Sequence, residues 1–433
     1  MVGEIAKHAA TVVHGEAWTI KELFTLPNEY IYWSIQIVMY PYMTGLVAGA
    51  FVLSSLYHVF GIEKLKEIAR FSLVFSFALL PVAMMPLTLH LQQPFRGINV
   101  MMTPHFTSAI AAFGFVFTTY GCIVATELWL VYRKYFVQTA VALKAQKNRS
   151  AVDGFRMLLF SALTLGAWDI SNEAVEKDHK ACKTMAAIGI PVACFLHGYA
   201  GFIFGSVKAN ALWMTPLMPV IFICSAVVSG VALCILCYVV VQEIRKFMAK
   251  RKIARWAKDP AAPTIEELEG AKHEEVMIAS NYLMYFMIAA LTLEILDLIF
   301  RGYTQVKSWD ILREVIMERD FTKIFIMQYG LGNILPFLIM VLPGRTVRRT
   351  TIATVLVLFG VFMMRYNVVI GGQAFSLSFS GFMDYTLPII PHDLETFKEG
   401  LFGALSVAVT PFVLFFFINK VMPAFLKEEE STH

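Results

Sequence analysis

A polar string, His90-Leu91-Gln92-Gln93-Pro94-Phe95-Arg96, closes a run of almost pure hydrocarbon that extends from Phe77 to Leu89. It sets an imidazole, two amides and a guanidinium side by side. In a soluble protein such a string is a helix end. At the edge of a bilayer it is a set of proton and hydrogen-bond partners within reach of a lipophilic substrate. A second histidine, His197, stands in another apolar segment. Imidazole titrates near neutrality, so two histidines in one bundle and at one depth are candidates for exchanging protons with a ligand.

Composition decides between the two settings. Of 433 residues, 58% are hydrophobic and 16% charged, with a mean hydropathy of +0.63. That is too apolar for a soluble domain of this size. Apolar stretches of roughly 20 residues recur, the length that crosses a hydrocarbon core of about 30 Å. They lie near Tyr30–Tyr57, Ile68–Leu91, Thr107–Tyr132, Lys183–Ser206, Pro216–Val241, Met277–Phe300, Lys323–Leu342, Thr351–Ile370 and Gly400–Ile418. The expected fold class is therefore all-α, a polytopic membrane protein of nine transmembrane helices in two four-helix bundles plus an extra helix. Residues 1–29 carry scattered charges and no apolar core of about 7 to 15 residues, so the first span is expected to direct insertion without a cleavable signal.

Phe155–Ile170 is the candidate for a tenth span, and charge argues against it. With the amino terminus outside and this segment on the inner surface, inner loops hold 25 Lys and Arg and outer loops 10. That asymmetry fits the positive-inside rule. A tenth span would move the basic block of Arg245, Lys246, Lys250, Arg251, Lys252, Arg255 and Lys258 to the side opposite residues 133–149. The resulting plan has an outer segment 1–29, a first helical bundle 30–241 and a basic inner linker 242–275. A second bundle 276–371, an outer loop 372–398 and a carboxy-terminal helix with inner tail 399–433 complete it. The linker's basic residues can meet anionic lipid headgroups, although a retained topogenic charge block is the reading that accounts for them better. The aromatic, glycine-rich outer loop is long enough to need something to pack against.

Six cysteines, Cys122, Cys182, Cys194, Cys224, Cys234 and Cys237, bear on redox chemistry. Cys234 and Cys237 have C-x-x-C spacing but lie in an apolar helix with no third or fourth ligand nearby in sequence. An iron–sulfur cluster takes about four thiolates and a structural zinc a comparable set, so these read as small hydrophobes. A single haem between His90 and His197, flanked by Gly198 and Gly201, is an alternative. An electron path across the membrane through haem needs a second histidine pair nearer the inner face, and only His58 is placed there.

Ionisable and amide groups inside spans are costly, which makes each a candidate for function. The first bundle offers Gln36, Tyr40, Tyr42, His90, Glu127 and His197, and the second Glu294, Asp297, Gln328, Asn333, Arg365 and Asn367. Each also has a structural reading. Glu127 can anchor at the inner edge near Arg133, Arg365 can pair with Glu294 between helices, and Tyr42 can make an interhelical hydrogen bond. Asp297 and Arg301 have i,i+4 spacing. Ser72, Ser76 and Glu127 are placed for an inner half-channel, and Glu294, Asp297 and Arg365 for a second proton path or a coupling switch.

Several of these runs resemble the NrfD/polysulfide-reductase membrane subunits. Tyr42-Met43-Thr44-Gly45-Leu46-Val47-Ala48-Gly49-Ala50-Phe51 is similar to that family's first core helix. His90 to Arg96, followed by Thr103-Pro104-His105-Phe106-Thr107-Ser108-Ala109, is similar to its second-helix end and the entry into the third. Tyr199 to Gly205 and Leu212-Trp213-Met214-Thr215-Pro216-Leu217-Met218-Pro219 match its signature through the fourth and fifth helices. Arg365-Tyr366-Asn367-Val368-Val369 resembles a motif of longer members. Histidine at position 90, with His105 in the loop, is most like the menaquinone reductase (Qrc) type. Many relatives have aspartate where His90 stands and Gly-Arg-Pro where Gln92-Gln93-Pro94 stands. The proton donor thus differs in type, and Arg96 replaces the missing basic residue.

The resemblance implies a quinone-reactive membrane subunit with no haem or iron–sulfur cluster of its own, set in the cytoplasmic (inner) membrane of a bacterium or archaeon. It implies a periplasmic iron–sulfur partner, and beyond it a molybdopterin-like or multihaem cytochrome subunit; no nucleic-acid partner is expected. Menaquinone would enter the first bundle near the outer face. His90 and His197 would bond its oxygens and exchange protons, with Tyr42 beside them and with Gln93 and Arg96 orienting His90 or stabilising developing charge. Two other classes stay open. A secondary transporter would hold its charges at mid-membrane in repeated halves, and no repeat is evident here. A purely structural anchor would explain the outer loops but not His197.

Overall fold

The computed structural model describes residues 31–105, 107–108, 110–146, 150–207, 210, 212–255, 270–304, 309–374 and 382–425. The expected outer segment 1–29, the centre of the linker at 256–269 and part of the outer loop at 375–381 lie outside the described residues.

Nine helices among the described residues are long and apolar enough to cross a membrane, and the protein is an all-α polytopic membrane protein. Helix α1 runs from Ile35 to His58, capped by the Ser34 hydroxyl, which accepts from the Gln36 amide. The second span is broken. Helix α2 covers Lys66–Ala83 and α3 Met85–His90, with Pro81 inside the first piece and Pro86 opening the second. Proline removes a ladder hydrogen bond and crowds the preceding turn, so the chain bends there and sets the direction in which His90 leaves the helix. The remaining long helices are α4 (Ala111–Ala145), α6 (Asn172–Gly205), α7 (Met218–Arg255), α8 (His273–Thr304), α9 (Thr322–Val341), α10 (Val347–Gly371) and α12 (Leu401–Val421). Between α4 and α6 lies the short α5 (Ala151–Leu163), and α11 (Leu394–Glu399) precedes α12. Helix α9 is wound with π geometry as far as Ile334, and α10 ends in a π turn over Asn367–Gly371.

The tenth candidate span does not cross. Helix α5 has 13 residues, a length of roughly 20 Å against a core of about 30 Å. Its end turns at Leu165 (φ 49) and Gly166 (φ 80). Trp129 Nε1 donates to Leu163 O at 2.8 Å, and Arg133 donates to Asp169 O at 2.6 Å, so this segment is fastened to the middle of α4. The start of the expected linker, 242–255, continues α7 as helix. Lys and Arg are good helix formers, and nothing before Asp259-Pro260 breaks the helix.

Helices α1, α2, α4 and α6 form one bundle, and α7, α8, α9 and α10 the other. Helix α7 packs on α1 and α6 as well as on α8 and α10, so it serves both bundles. Helix α12 lies against α2. The segment leading to it crosses the end of the first bundle. There Gln373 Oε1 accepts from the Trp33 amide at 3.0 Å, and the Tyr385 hydroxyl accepts from the Ile35 amide at 3.0 Å. Much of α8 turns Ile288, Ile295, Leu296, Ile299 and Phe300 outward, as lipid-facing surface requires.

The α1–α7 contact depends on two glycines. A Cβ on Gly230 would sit 2.4 Å from Gly49 Cα, and one on Gly49 would sit 2.3 Å from Ala226 O. Both neighbours are backbone, so neither can yield without parting the helices, which is how small residues bring membrane helices close. Replacing Gly230 with alanine should destabilise the protein by about 1–3 kcal/mol or more. The midpoint of thermal unfolding in detergent checks this, and an unchanged midpoint would mean that the crossing is not a close one.

Candidate functional site

The candidate residues fall into four clusters. At the amino-terminal end of α1, the bend at Pro86 places His90 where α11 arrives from the far end of the chain. His90 Nδ1 lies 3.0 Å from Glu399 Oε2 and 3.1 Å from Oε1. The Ser34 hydroxyl donates to the same Oε2. His90 and Glu399 side chains keep 24% and 20% of their exposure. Burial by itself would raise the Glu399 carboxyl, but hydrogen bonds from His90 and Ser34 and the nearby charges of His90 and Lys398 bring it below its ordinary range. With Nδ1 given to the carboxylate, Nε2 has no partner among the described residues and points its lone pair or proton at whatever occupies the rim. Gln93 and Arg96 are exposed beside it. The group that orients His90 is Glu399, where Gln93 and Arg96 were expected.

His197 belongs to a second cluster, deep between the bundles. It is 1% exposed, and its Nε2 accepts from Arg365 Nη2 at 3.0 Å. The same Nη2 donates to Ser225 Oγ at 2.7 Å, and the guanidinium carbon lies 3.8 Å from the Phe222 ring centre. The imidazole is backed by Gly45, where a Cβ would come within 3.1 Å of His197 Cε1. Tyr42, one turn away on α1, donates to Leu358 O at 3.2 Å and packs edge-on to Phe362, the interhelical bond that was its structural reading. Arg365 therefore pairs with His197 and not directly with Glu294.

The two histidines are not set across one cavity. His90 meets α1 at Ser34 through Glu399, and His197 meets it at Gly45. Eleven helical residues separate those points, on the order of 16 Å along the axis. A haem or a quinone held between both imidazoles does not fit this arrangement.

A third cluster lines a cavity of about 110 Å³ in the second bundle, bounded by Glu294, Asp297, Arg301, Asp320, Gln328 and Asn367 among others. Gln328 Nε2 donates to Glu294 at 2.9 Å and Asn367 Nδ2 to Gln328 Oε1 at 2.8 Å. Asp297 accepts from Thr215 Oγ1 at 2.6 Å and from Arg301 Nε at 2.9 Å. Apolar residues, Met218, Ile221, Ile316 and Met364 among them, make up the rest of the wall, so a space of that size has room for a few waters at its polar groups.

The fourth cluster lies at the His58 end of the first bundle. Glu127 is fully buried, and neither carboxylate oxygen has a hydrogen-bond partner among the described residues. It does not pair with Arg133, which binds Asp178 at 2.5 Å. Ser72 and Ser76 donate to the carbonyls of Ile68 and Val47, at 2.6 and 3.1 Å. No hydrogen-bonded chain joins them to Glu127 among the described residues.

Sequence reasoning missed Glu399, 309 positions from its partner. A weak signal was present in a carboxylate followed by Gly400 at the mouth of a span, behind the capping box of Asp393 and Thr396.

Three relatives of known description share part of this chain. It is 30% identical over 217 residues to a subunit of the selenate reductase of Mesobacillus selenatarsenatis, covering 49% of each protein. It is 26% identical over 222 residues to the membrane subunit of a putative dimethyl sulfoxide reductase of Halobacterium salinarum, covering 51% of this chain and 46% of the relative. It is 24% identical over 201 residues to an Hdr-like menaquinol oxidoreductase integral membrane subunit of Archaeoglobus fulgidus, covering 46% and 40%. These matches span about half the length of each relative or less. The family model described as Polysulphide reductase, NrfD, matches residues 25–377, most of the chain, and the protein belongs to that family.

Proposed function

We propose that this chain is the quinone-reactive subunit of a respiratory oxidoreductase, with its reaction site at the His90 rim. The carrying observation is the imidazole turned by Glu399, with Nε2 lacking a partner among the described residues at a partly open edge. One relative's description names menaquinol, which supports menaquinone as the lipophilic substrate and a menaquinone reductase (Qrc)-like role. When bound, menaquinone supplies two-electron, two-proton carbonyl chemistry. His90 Nε2 hydrogen-bonds a carbonyl oxygen and exchanges a proton with it, while Glu399 fixes the tautomer and takes up the charge change at Nδ1. Arg96 offers a cation at the same rim.

Phe95, Ile98 and Met102 stand exposed in the segment that follows His90. In this reading they receive the periplasmic iron–sulfur subunit that carries electrons to or from a molybdopterin-like or multihaem cytochrome partner. The rim then faces the outside of the bacterial or archaeal cytoplasmic membrane, with the amino terminus outside and the carboxy terminus inside, as the loop charges indicate. Any proton path is best supported by the cavity of the second bundle, where Glu294 is the carboxylate joined to Gln328 and Asn367.

Three outcomes follow. His90→Ala should lower quinol-linked electron transfer by about 10²–10⁴-fold, the usual scale of one acid–base group, in a complex that still assembles; unchanged turnover would remove His90 from the mechanism. The Glu399 carboxyl is depressed in the fold, so its contact with His90 is present above the ordinary carboxylate range and lost as pH falls through the lowered value. Activity should therefore drop on the acid side, and Glu399→Gln should flatten that limb of the pH profile while reducing activity throughout. In sealed vesicles, Glu294→Gln should diminish proton release per electron while uncoupled electron transfer continues. Equal proton release in the variant would rule out this route.

A further inference from the structure

The Glu127 cluster lies outside the proposed quinone chemistry and has a composition of its own. His58 closes α1, Glu127 sits midway along α4 and Cys182 lies in the first half of α6. All three are buried, and one ligating atom from each, an imidazole nitrogen, a carboxylate oxygen and a thiol sulfur, lie within 4.8 Å of one another. His58 Nδ1 and Cys182 Sγ are 3.7 Å apart. Bond lengths of about 2.05 Å to nitrogen and 2.3 Å to sulfur at a tetrahedral zinc put those two atoms about 3.6 Å apart. That edge of the coordination polyhedron is already formed, and the carboxylate has about an ångström to close.

The second observation concerns Glu127 itself. A fully buried carboxylate with neither oxygen hydrogen-bonded is among the more costly groups a membrane helix can carry. Arg133, the nearest basic residue along α4, is committed to Asp178 and to the carbonyls of Ala167 and Asp169. A divalent cation answers the carboxylate directly. With a thiolate and a carboxylate as ligands and a neutral imidazole beside them, the site's charge balances at zero. On binding, the thiol proton and any proton on the carboxyl leave to solvent.

From this geometry we propose that His58, Glu127 and Cys182 bind a single zinc-class divalent cation that clasps α1, α4 and α6 at the end of the bundle opposite His90. The thiolate disfavours hard magnesium and calcium, and the mixed nitrogen, oxygen and sulfur set suits zinc. Three protein ligands leave a fourth position for water or a neighbouring hydroxyl. Ser54, one turn before His58 on α1, has a buried hydroxyl without a hydrogen-bond partner among the described residues.

The test uses the full chain in its native complex, purified in detergent without chelator. Mass-spectrometric metal analysis should find one equivalent of zinc per chain that Cys182→Ser and Glu127→Gln each reduce at least ten-fold, while Cys234→Ser leaves it intact. Stripping the metal and refilling with Co²⁺ should give tetrahedral visible bands and a thiolate-to-cobalt charge-transfer band in the wild type, the latter lost in Cys182→Ser. Wild-type protein that holds less than a tenth of an equivalent and shows no thiolate–cobalt band overturns the proposal, whatever the variants do. Metal that survives Cys182→Ser but disappears in Cys234→Ser overturns it as well. Neither readout depends on quinone turnover, so the site stands or falls apart from the His90 assignment.

Discussion

A charge inside hydrocarbon has to be answered within the protein, and Arg365 shows how much of this structure follows from that. Its side chain is wholly buried, and Nη2 finds its partners in the other bundle and the shared helix: His197 from α6, Ser225 and the Phe222 carbonyl from α7, whose ring also lies under the guanidinium, while Nε has no hydrogen-bond partner among the described residues. Helix α10 is thereby tied to α6 and α7 at mid-depth. Gly45 leaves the room that the imidazole needs, so α1 is drawn into the same junction. Removing either partner would leave a buried charge or a buried acceptor alone, which makes the pair a structural constraint before it is anything else.

That constraint also separates two histidines that look equivalent by depth. Once Nε2 of His197 is taken by Arg365, a ligand can meet only the opposite edge of the ring, at a site 1% exposed. His90 is held through Nδ1 by a carboxylate that keeps contact with the rim, and its other nitrogen is left available. The first arrangement fixes a geometry. The second leaves a nitrogen at the rim beside a carboxylate, which is what the proposed proton exchange would need.

The spans could be read from the chain because a hydrocarbon core sets their length and purity, and the boundaries of α1, α8 and α10 fall close to the expected ones. The failure of Phe155–Ile170 to span was likewise readable, from the charge on either side of it. Contacts between helices were not. Depth along the membrane normal is one coordinate and hydropathy reads it coarsely: it set His90 and His197 together, yet they meet α1 at Ser34 and Gly45, on the order of 16 Å apart, and it carries no information about which helix faces which. Glu399 is the clearest loss. Its role requires the loop after α10 to cross back to the start of α1 and dock through Gln373 and Tyr385, a path of long-range contacts that leaves only the capping box of α11 in the local sequence. The Arg365–Glu294 pairing looked plausible for the complementary reason: opposite charges at similar depth suggest a bond, yet Gln328 supplies the hydrogen bond that Glu294 needs.

Helix α1 has a polar station at each end and one between. Ser34 meets the Glu399–His90 rim, Gly45 backs His197, and His58 faces Glu127 and Cys182. From Ser34 to His58 the helix rises about 36 Å, the thickness of a bilayer core with its margins. If protons crossed along this helix, they would have to pass the middle station, where the His197 nitrogen is held by a guanidinium and backed by closely packed glycine and aromatic residues. The second bundle offers the more open course: a cavity of about 110 Å³, a carboxylate at Glu294, and an amide chain through Gln328 to Asn367, two residues beyond Arg365. Arg365 stands between the two systems. On the proposed reading, a change of charge on the cavity side would be felt by the residue that holds His197, and this would be the physical basis for coupling electron transfer at the rim to proton movement in the second bundle without a shared ligand.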